Sequence, residues 1–116
     1  MNIPNTPAVF TSDALDHDNP IPDGYTLVDV RTDEEWEAGH APGALHIPLD
    51  SLAERIDDIP EDDIIVVCRK GGRSAQAVQI LAEQGIEAWD LTDGMLGWAA
   101  NGLPLASDDG DIPTIN

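Results

Sequence analysis

Cys68 is the only cysteine in a chain of 116 residues, and it opens the run Cys68-Arg69-Lys70-Gly71-Gly72-Arg73-Ser74. Adjacent glycines let a backbone turn without a Cβ penalty, so successive N–H groups can point inward and make a nest for an anion. Three of the five Lys and Arg residues, Arg69, Lys70 and Arg73, fall in this run and bring full positive charge to it. A helix starting at Ser74 adds unpaired N–H groups and the positive end of its dipole. Cations and a helix N-terminus beside a thiol favour the thiolate, so Cys68 is expected to be an activated nucleophile. A free cysteine at a strand end is often only a small hydrophobe. Two glycines, three cations and a strand-to-helix junction around this one favour chemistry.

The surrounding pattern supplies that junction. Asp63-Ile64-Ile65-Val66-Val67-Cys68 is a continuous apolar run of the kind buried on both faces of a parallel sheet. Ser74 to Gln84 carries Ala77, Val78, Leu81 and Ala82 at helical spacing, with Gly85 placed to cap it. Upstream, Ala8-Val9-Phe10 reads as a short strand, and Ser12-Asp13 as the cap of a brief helix. Thr26 to Val30 reads as a buried strand, and Asp33 to Glu37 as an acidic first helical turn that Gly39 ends. His40 to Gly43 is a turn, Ala44 to Ile47 a strand, and Leu49, Leu52, Ile56 and Ile59 one stripe of a helix closed by Pro60. Glu87 to Leu91 and Met95 to Ala100 add a last strand and a last helix. This alternation predicts an α/β domain around a mainly parallel sheet with helices on both faces, and ligands of such sheets bind beyond the carboxyl ends of strands, where Cys68 lies.

The domain is expected over residues 8–104, between a flexible N-terminus at 1–7 and an acidic C-terminal tail at 105–116, with residues 1–7 and Ser107 to Asn116 reading as frayed ends. Hydrophobic residues at 41% and charged residues at 24% are globular usage. The formal net charge of -18 disfavours nucleic acid and anionic membrane surfaces as partners. No apolar run reaches the length of a membrane span and the N-terminus lacks a signal pattern, so the expected location is cytoplasmic, where a lone thiol stays reduced. Screening over about 8–10 Å lets the loop cations outweigh the global charge at contact distance.

The loop Cys68 to Ser74, a Cys-x-x-Gly-x-Arg-Ser pattern, resembles the active-site loop of rhodanese domains. Val28-Asp29-Val30-Arg31 with Glu34-Glu35-Trp36 and Gly39-His40-Ala41-Pro42-Gly43-Ala44 resembles that family's first motif, and Leu91-Thr92-Asp93-Gly94 with Gly97-Trp98 its closing motif. The resemblance covers about residues 8 to 104. It departs at Ala41, where a larger aliphatic residue is usual, and at Asp93, where a glycine is usual. The resemblance implies a rhodanese-like fold and a sulfurtransferase that moves a sulfane sulfur from a small anionic donor such as thiosulfate, through a persulfide on Cys68, to cyanide or a thiol, a protein thiol being one candidate. It implies no metal and no organic cofactor. By position, the N–H groups from Arg69 to Ser74 would hold the persulfide, the side chains of Arg69, Lys70 and Arg73 would face the donor, and Asp29 and Arg31 would brace the loop. An ordinary structural ion pair is the equal alternative for Asp29 and Arg31.

His17, His40 and His46 have no metal-ligand spacing, and His40 is expected to fix its turn. Trp36, Trp89 and Trp98 are expected to fill core, with Trp98 also able to line the pocket mouth. Two other classes remain open. Cysteine-dependent phosphatases and arsenate reductases use a loop resembling Cys-x5-Arg, one residue longer than Cys68 to Arg73. A non-catalytic partner-binding module or a protein-to-protein sulfur relay would present the same loop to another chain.

Overall fold

The structure is a computed structural model that describes residues 9–108 and 110–115. Five strands form one sheet: β1 (Val9–Phe10), β2 (Tyr25–Asp29), β3 (Leu45–His46), β4 (Asp63–Val67) and β5 (Ala88–Leu91). Their spatial order is β1-β5-β4-β2-β3, and every pairing is parallel. Three α-helices, α1 (Asp33–Ala38), α2 (Gly72–Glu83) and α3 (Gly94–Ala100), join short 3-10 turns in the connections.

β4 is central because both of its faces are apolar. Ile64, Val66 and Cys68 point into one cluster with Leu52, Ala77 and Leu81, while Ile65 and Val67 point into the other with Leu91, Met95 and Trp98. Successive side chains of a strand alternate between faces, so an unbroken apolar run is what a strand sandwiched between two layers requires. Each such side chain contributes about 1.5–3 kcal/mol when fully buried. The two layers are therefore α2 with the 49–58 turns on one face and α3 with the N-terminal turn on the other, the expected α/β architecture.

Several element bounds differ from the sequence expectation for local reasons. The stripe Leu49-Leu52-Ile56-Ile59 forms two 3-10 segments, Leu49–Ser51 and Ala53–Asp58, with Arg55 at φ -111° and ψ 23° breaking the second. Steps of three residues suit a 3-10 helix, whose side chains repeat every third position, and the single step of four spans the break. Helix α2 starts at Gly72 rather than Ser74, because Gly71 at φ +117° turns the chain into it. At its other end Gly85 N–H donates to Ala82 O and Ile86 N–H to Leu81 O, a Schellman closure with Gly85 at φ +79°.

The tail from Ser107, expected to fray, folds back in its described residues. His40 and Ala106 exchange backbone hydrogen bonds at 2.9 and 2.8 Å, and Thr114 N–H donates to Ala38 O at 2.9 Å. The end of α1 leaves carbonyls without helical partners, and the tail supplies a donor. A Cβ on Gly39 would lie 2.4 Å from Thr114 O, so this close approach needs a glycine. The expected flexible segment 1–7, and Ala8 of the first strand, lie outside the described residues.

The sheet and α3 meet at a second close approach. Gly94 has φ +63°, and a Cβ there would fall 2.3 Å from Arg69 O and 2.7 Å from Lys70 N. Gly72, by contrast, has open space around its Cβ position and no positive φ. Gly94→Ala is therefore expected to lower stability by about 3 kcal/mol or more, whereas Gly72→Ala is expected to stay within about 1 kcal/mol of the parent, as read by chemical denaturation.

Candidate active site

Cys68 follows the last residue of β4, and its side chain is 1% exposed. What aims the loop after it is the start of α3. Met95 N–H donates to Cys68 O at 2.8 Å and Leu96 N–H donates to Arg69 O at 3.0 Å. These are first-turn amides that no helical carbonyl can satisfy. Because a trans peptide holds its N–H opposite its C=O, turning these two carbonyls toward α3 turns the amides of Arg69 and Lys70 away from it. Two residues on, Gly71 N–H donates to Cys68 Sγ at 3.0 Å. Gly71 reaches this pose at φ +117°, where a Cβ would meet Thr92 O at 2.7 Å.

Behind the sulfur, Ser74 is fully buried. The Cys68 thiol donates to Ser74 Oγ at 3.4 Å. Ser74 Oγ lies 2.6 Å from Asp90 Oδ1 and 3.1 Å from Gly71 O, to either of which it can donate. Asp90, on β5, is 7% exposed, and burial pushes its carboxyl above the usual carboxylate range while the Ser74 hydroxyl pulls the other way. In front of the sulfur lies an open cavity of about 260 Å³ lined by Cys68, Arg69, Lys70, Gly72, Arg73 and Gln76.

Arg73 does not stand alone in this cavity. Its guanidinium grips Glu35 of α1 in a bidentate pair at 2.6 and 2.9 Å. The hydrogen bond to Arg73, together with bonds to Thr32 and against the cost of burial, holds the Glu35 carboxyl at about 2 rather than 4.5. The same hydrogen bond to Glu35 pushes Arg73 upward. Glu35 also closes a capping box with Thr32, each side chain bonding the other's backbone N–H. One carboxylate thus starts α1 and orients a loop cation.

Asp29 and Arg31 come together as a pair with both side chains fully buried. Arg31 Nη2 is 2.7 Å from Asp29 Oδ2 and donates to Gly39 O at 2.7 Å. Arg31 Nη1 is buried without a hydrogen-bond partner among the described residues. The pair is directed at Gly39 and the end of α1; what it shares with the cysteine loop is backbone, since β2 lies beside β4 and Val30 N–H donates to Val67 O at 3.0 Å.

His40 fixes its turn through a 2.8 Å contact between Nδ1 and Trp36 O. Trp36 fills no core: its half-buried ring stacks with both His40 and His46, with centroids 3.7 and 4.7 Å away. Trp89 is half-buried against Tyr25. Trp98 is wholly buried and donates to Pro104 O at 2.8 Å, so it belongs to the core and not to the pocket mouth. Of the two unusual residues, Ala41 is buried in the second cluster. Asp93 accepts from Ser12 N–H at 3.0 Å, with room left by Gly97, where a Cβ would fall 2.0 Å from Asp93 Oδ2.

Three residues of the site escape the sequence reading. Glu35 carries a signal, the spacing Thr32-x-x-Glu35 of a capping box. Asp90 carries a weak one, a lone acid in the strand Ala88-Trp89-Asp90-Leu91. Gln76 carries none.

The rhodanese-like domain family matches residues 12–101, and the chain belongs to that family. It is 40% identical over 86 residues to a sulfurtransferase of Allochromatium vinosum, across 72% of this chain and 80% of that one. It is 46% identical over 83 residues to an HTH-type transcriptional regulator of Mycobacterium tuberculosis, covering 69% of this chain but only 37% of the regulator. Among solved structures, a rhodanese-like domain protein of Staphylococcus aureus superposes with a TM-score of 0.72 at 29% identity, over 94% of this chain and 100% of that one. Among the described residues no helix is long and apolar enough to cross a membrane.

The depressed Glu35 carboxyl has a consequence for acid stability. Its folded value of about 2 lies below the ordinary 4.5, so the stability it contributes is present above pH 4.5 and is lost as pH falls toward 2. In Glu35→Gln, which keeps the capping geometry, the loss of stability over that pH range is expected to be smaller than in the parent by about 1 kcal/mol, allowing for solvent screening of a partly exposed pair. Urea denaturation at a series of acid pH values reads the difference.

Proposed function

We propose that the protein is a sulfurtransferase that carries a sulfane sulfur as a persulfide on Cys68. The observation that supports it most is the Gly71 amide donating to Cys68 Sγ at 3.0 Å in a loop whose backbone is pinned from α3. A thiolate, and the persulfide anion made from it, both gain from donors that are oriented before the charge arrives. The cationic cavity before the sulfur suits a small anionic donor such as thiosulfate.

The Cys68 thiolate attacks the outer sulfur of thiosulfate, an S–S bond forms to Cys68, and the S–S bond of the donor breaks with its electron pair leaving on sulfite. An acceptor thiolate, or cyanide in the test tube, then attacks the terminal sulfur and restores the Cys68 thiolate. Charge is conserved in each step, and the scheme draws on no metal or organic cofactor. Arg69 and Lys70 are the donor-facing side chains in this reading. Arg73 helps with whatever donors its bidentate grip on Glu35 leaves over, and the amides from Arg69 to Ser74 cradle the carried sulfur. Chemistry that needs a reduced lone thiol fits the cytoplasm.

Similarity to a putative sulfur carrier protein of Bacillus subtilis, 35% identical over 78 residues across 66% of this chain and 42% of that one, favours a second reading, in which the domain passes sulfur between proteins and not to small molecules. Loading only from a protein persulfide, with none from thiosulfate, would select it. The spacing Cys68-x4-Arg73, with the arginine already paired to a carboxylate, supports sulfur over a tetrahedral phosphoryl group.

Intact mass spectrometry after thiosulfate treatment is expected to record a gain of one sulfur that a reductant reverses. Cys68→Ser is expected to abolish both this gain and thiocyanate formation while leaving the circular dichroism spectrum unchanged. Turnover retained in that variant would refute the reading.

A further inference from the structure

Asp90 is a buried acid that the transfer scheme leaves without a task. It is 7% exposed on a strand whose other members are Ala88, Trp89 and Leu91, and no cation pairs with it among the described residues. Its Oδ1 lies 2.6 Å from Ser74 Oγ, and Ser74 Oγ lies 3.4 Å from Cys68 Sγ. Carboxylate, hydroxyl and sulfur are thus linked in one buried chain.

A serine hydroxyl has one proton to give. While Asp90 is ionised, that proton lies in the charge-assisted bond to the carboxylate, and Ser74 can only accept from the Cys68 thiol. When Cys68 Sγ is an anionic thiolate, or is bonded to the anionic outer sulfur of a persulfide, Ser74 stabilises that charge by turning its proton toward Sγ. Asp90 then keeps a hydrogen bond to Ser74 only if it carries a proton itself.

We propose that Cys68, Ser74 and Asp90 share one proton, so that Asp90 takes up the thiol proton through Ser74 as Cys68 becomes nucleophilic and holds it while the sulfur is carried. The thiol loses its proton to Ser74 Oγ, and Ser74 releases its own to Asp90 Oδ1. The products are a thiolate and a neutral carboxylic acid, with no change in the charge of the site. The proton returns when Cys68 is left free of sulfur. Asp90 is a positioning residue in this arrangement, since it acts on the sulfur through Ser74.

Burial raises the Asp90 carboxyl, which makes the proton easier to hold there than on a surface acid. The charged groups around the chain of atoms are Arg69 and Lys70 in the loop, Arg73 on α2 with its partner Glu35 from α1, and the Asp29 and Arg31 pair from β2. Glu35, at about 2, stays ionised at neutral pH. The β4 residues beside Asp90 are apolar, and β1 on its other side carries Val9 and Phe10, which have no titratable group.

The test is the pH dependence of Cys68 alkylation by iodoacetamide in the parent, Asp90→Asn, Ser74→Ala and the double variant. The amide introduced by Asp90→Asn would donate to Ser74 and leave the serine proton for the sulfur, so this variant is expected to move the alkylation midpoint down by about one pH unit. In the Ser74→Ala background the same change is expected to have less than about a third of that effect. An unmoved midpoint in Asp90→Asn, or an equal shift with and without Ser74, overturns the proposal. A second readout does not depend on Ser74→Ala folding: the infrared difference spectrum between sulfur-loaded and unloaded protein. A protonated carboxyl band that appears on loading and is missing in Asp90→Asn supports the proposal, and its absence in the parent overturns it. The persulfide half of the inference rests on the proposed sulfurtransferase reading. If the alkylation shifts appear but the parent never gains sulfur from any donor, that reading fails while the shared proton stands.

Discussion

Two hydrogen bonds from outside the cysteine loop decide what the loop can do. The first-turn amides of α3 at Met95 and Leu96 take the carbonyls of Cys68 and Arg69. A loop of this length left to itself has no reason to turn its carbonyls one way and its amides the other. Pinned from α3, its peptide planes are set, and the Gly71 amide meets the sulfur. The unsatisfied donors of a helix N-terminus are here used to orient another segment, not to bind a ligand themselves. Backbone contact this close excludes side chains, which is why glycine stands at both 71 and 94.

The electrostatics follow from that frame. In a chain of net charge -18, a cationic pocket exists only because its charges sit within a few residues of the sulfur. Even there the charge is moderated: Arg73 is held by Glu35, so this loop cation is oriented and partly neutralised at once. The fully buried Asp29 and Arg31 pair does a different job. A buried ion pair recovers its desolvation only with good geometry, and this one gains hydrogen bonds to Gly39 and to the backbone of Arg31 itself. It ties the end of β2 to the turn that follows α1, and so sets where α1 can present Glu35.

Much of this is legible in the chain. The apolar run of β4, the paired glycines, the clustered cations and the Gly85 cap each follow from a local rule, and together they place Cys68 at the carboxyl end of a parallel strand. What local rules miss is contact between distant segments. The meeting of Glu35 with Arg73, of Ser74 with Asp90, and of Thr114 with Ala38 depends on the docking of elements far apart in sequence. The stripe from Leu49 to Ile59 is ambiguous in sequence because steps of three and four serve both helix types, and only the conformation of Arg55 separates them. The tail from Ser107 has no periodicity to read, yet α1 offers it an unsatisfied carbonyl and a glycine to pack on.

In the proposed function the Cys68 loop is set, before any donor arrives, to hold one more sulfur among its amides. A crystal structure of the thiosulfate-treated protein tests it most directly. The expected result is an added sulfur on Cys68 Sγ within about 3.5 Å of several amide nitrogens between Arg69 and Ser74, with the carbonyls of Cys68 and Arg69 still bonded to α3. A sulfur that projects into solvent away from those amides, or a loop that must leave α3 to accommodate it, would contradict the account.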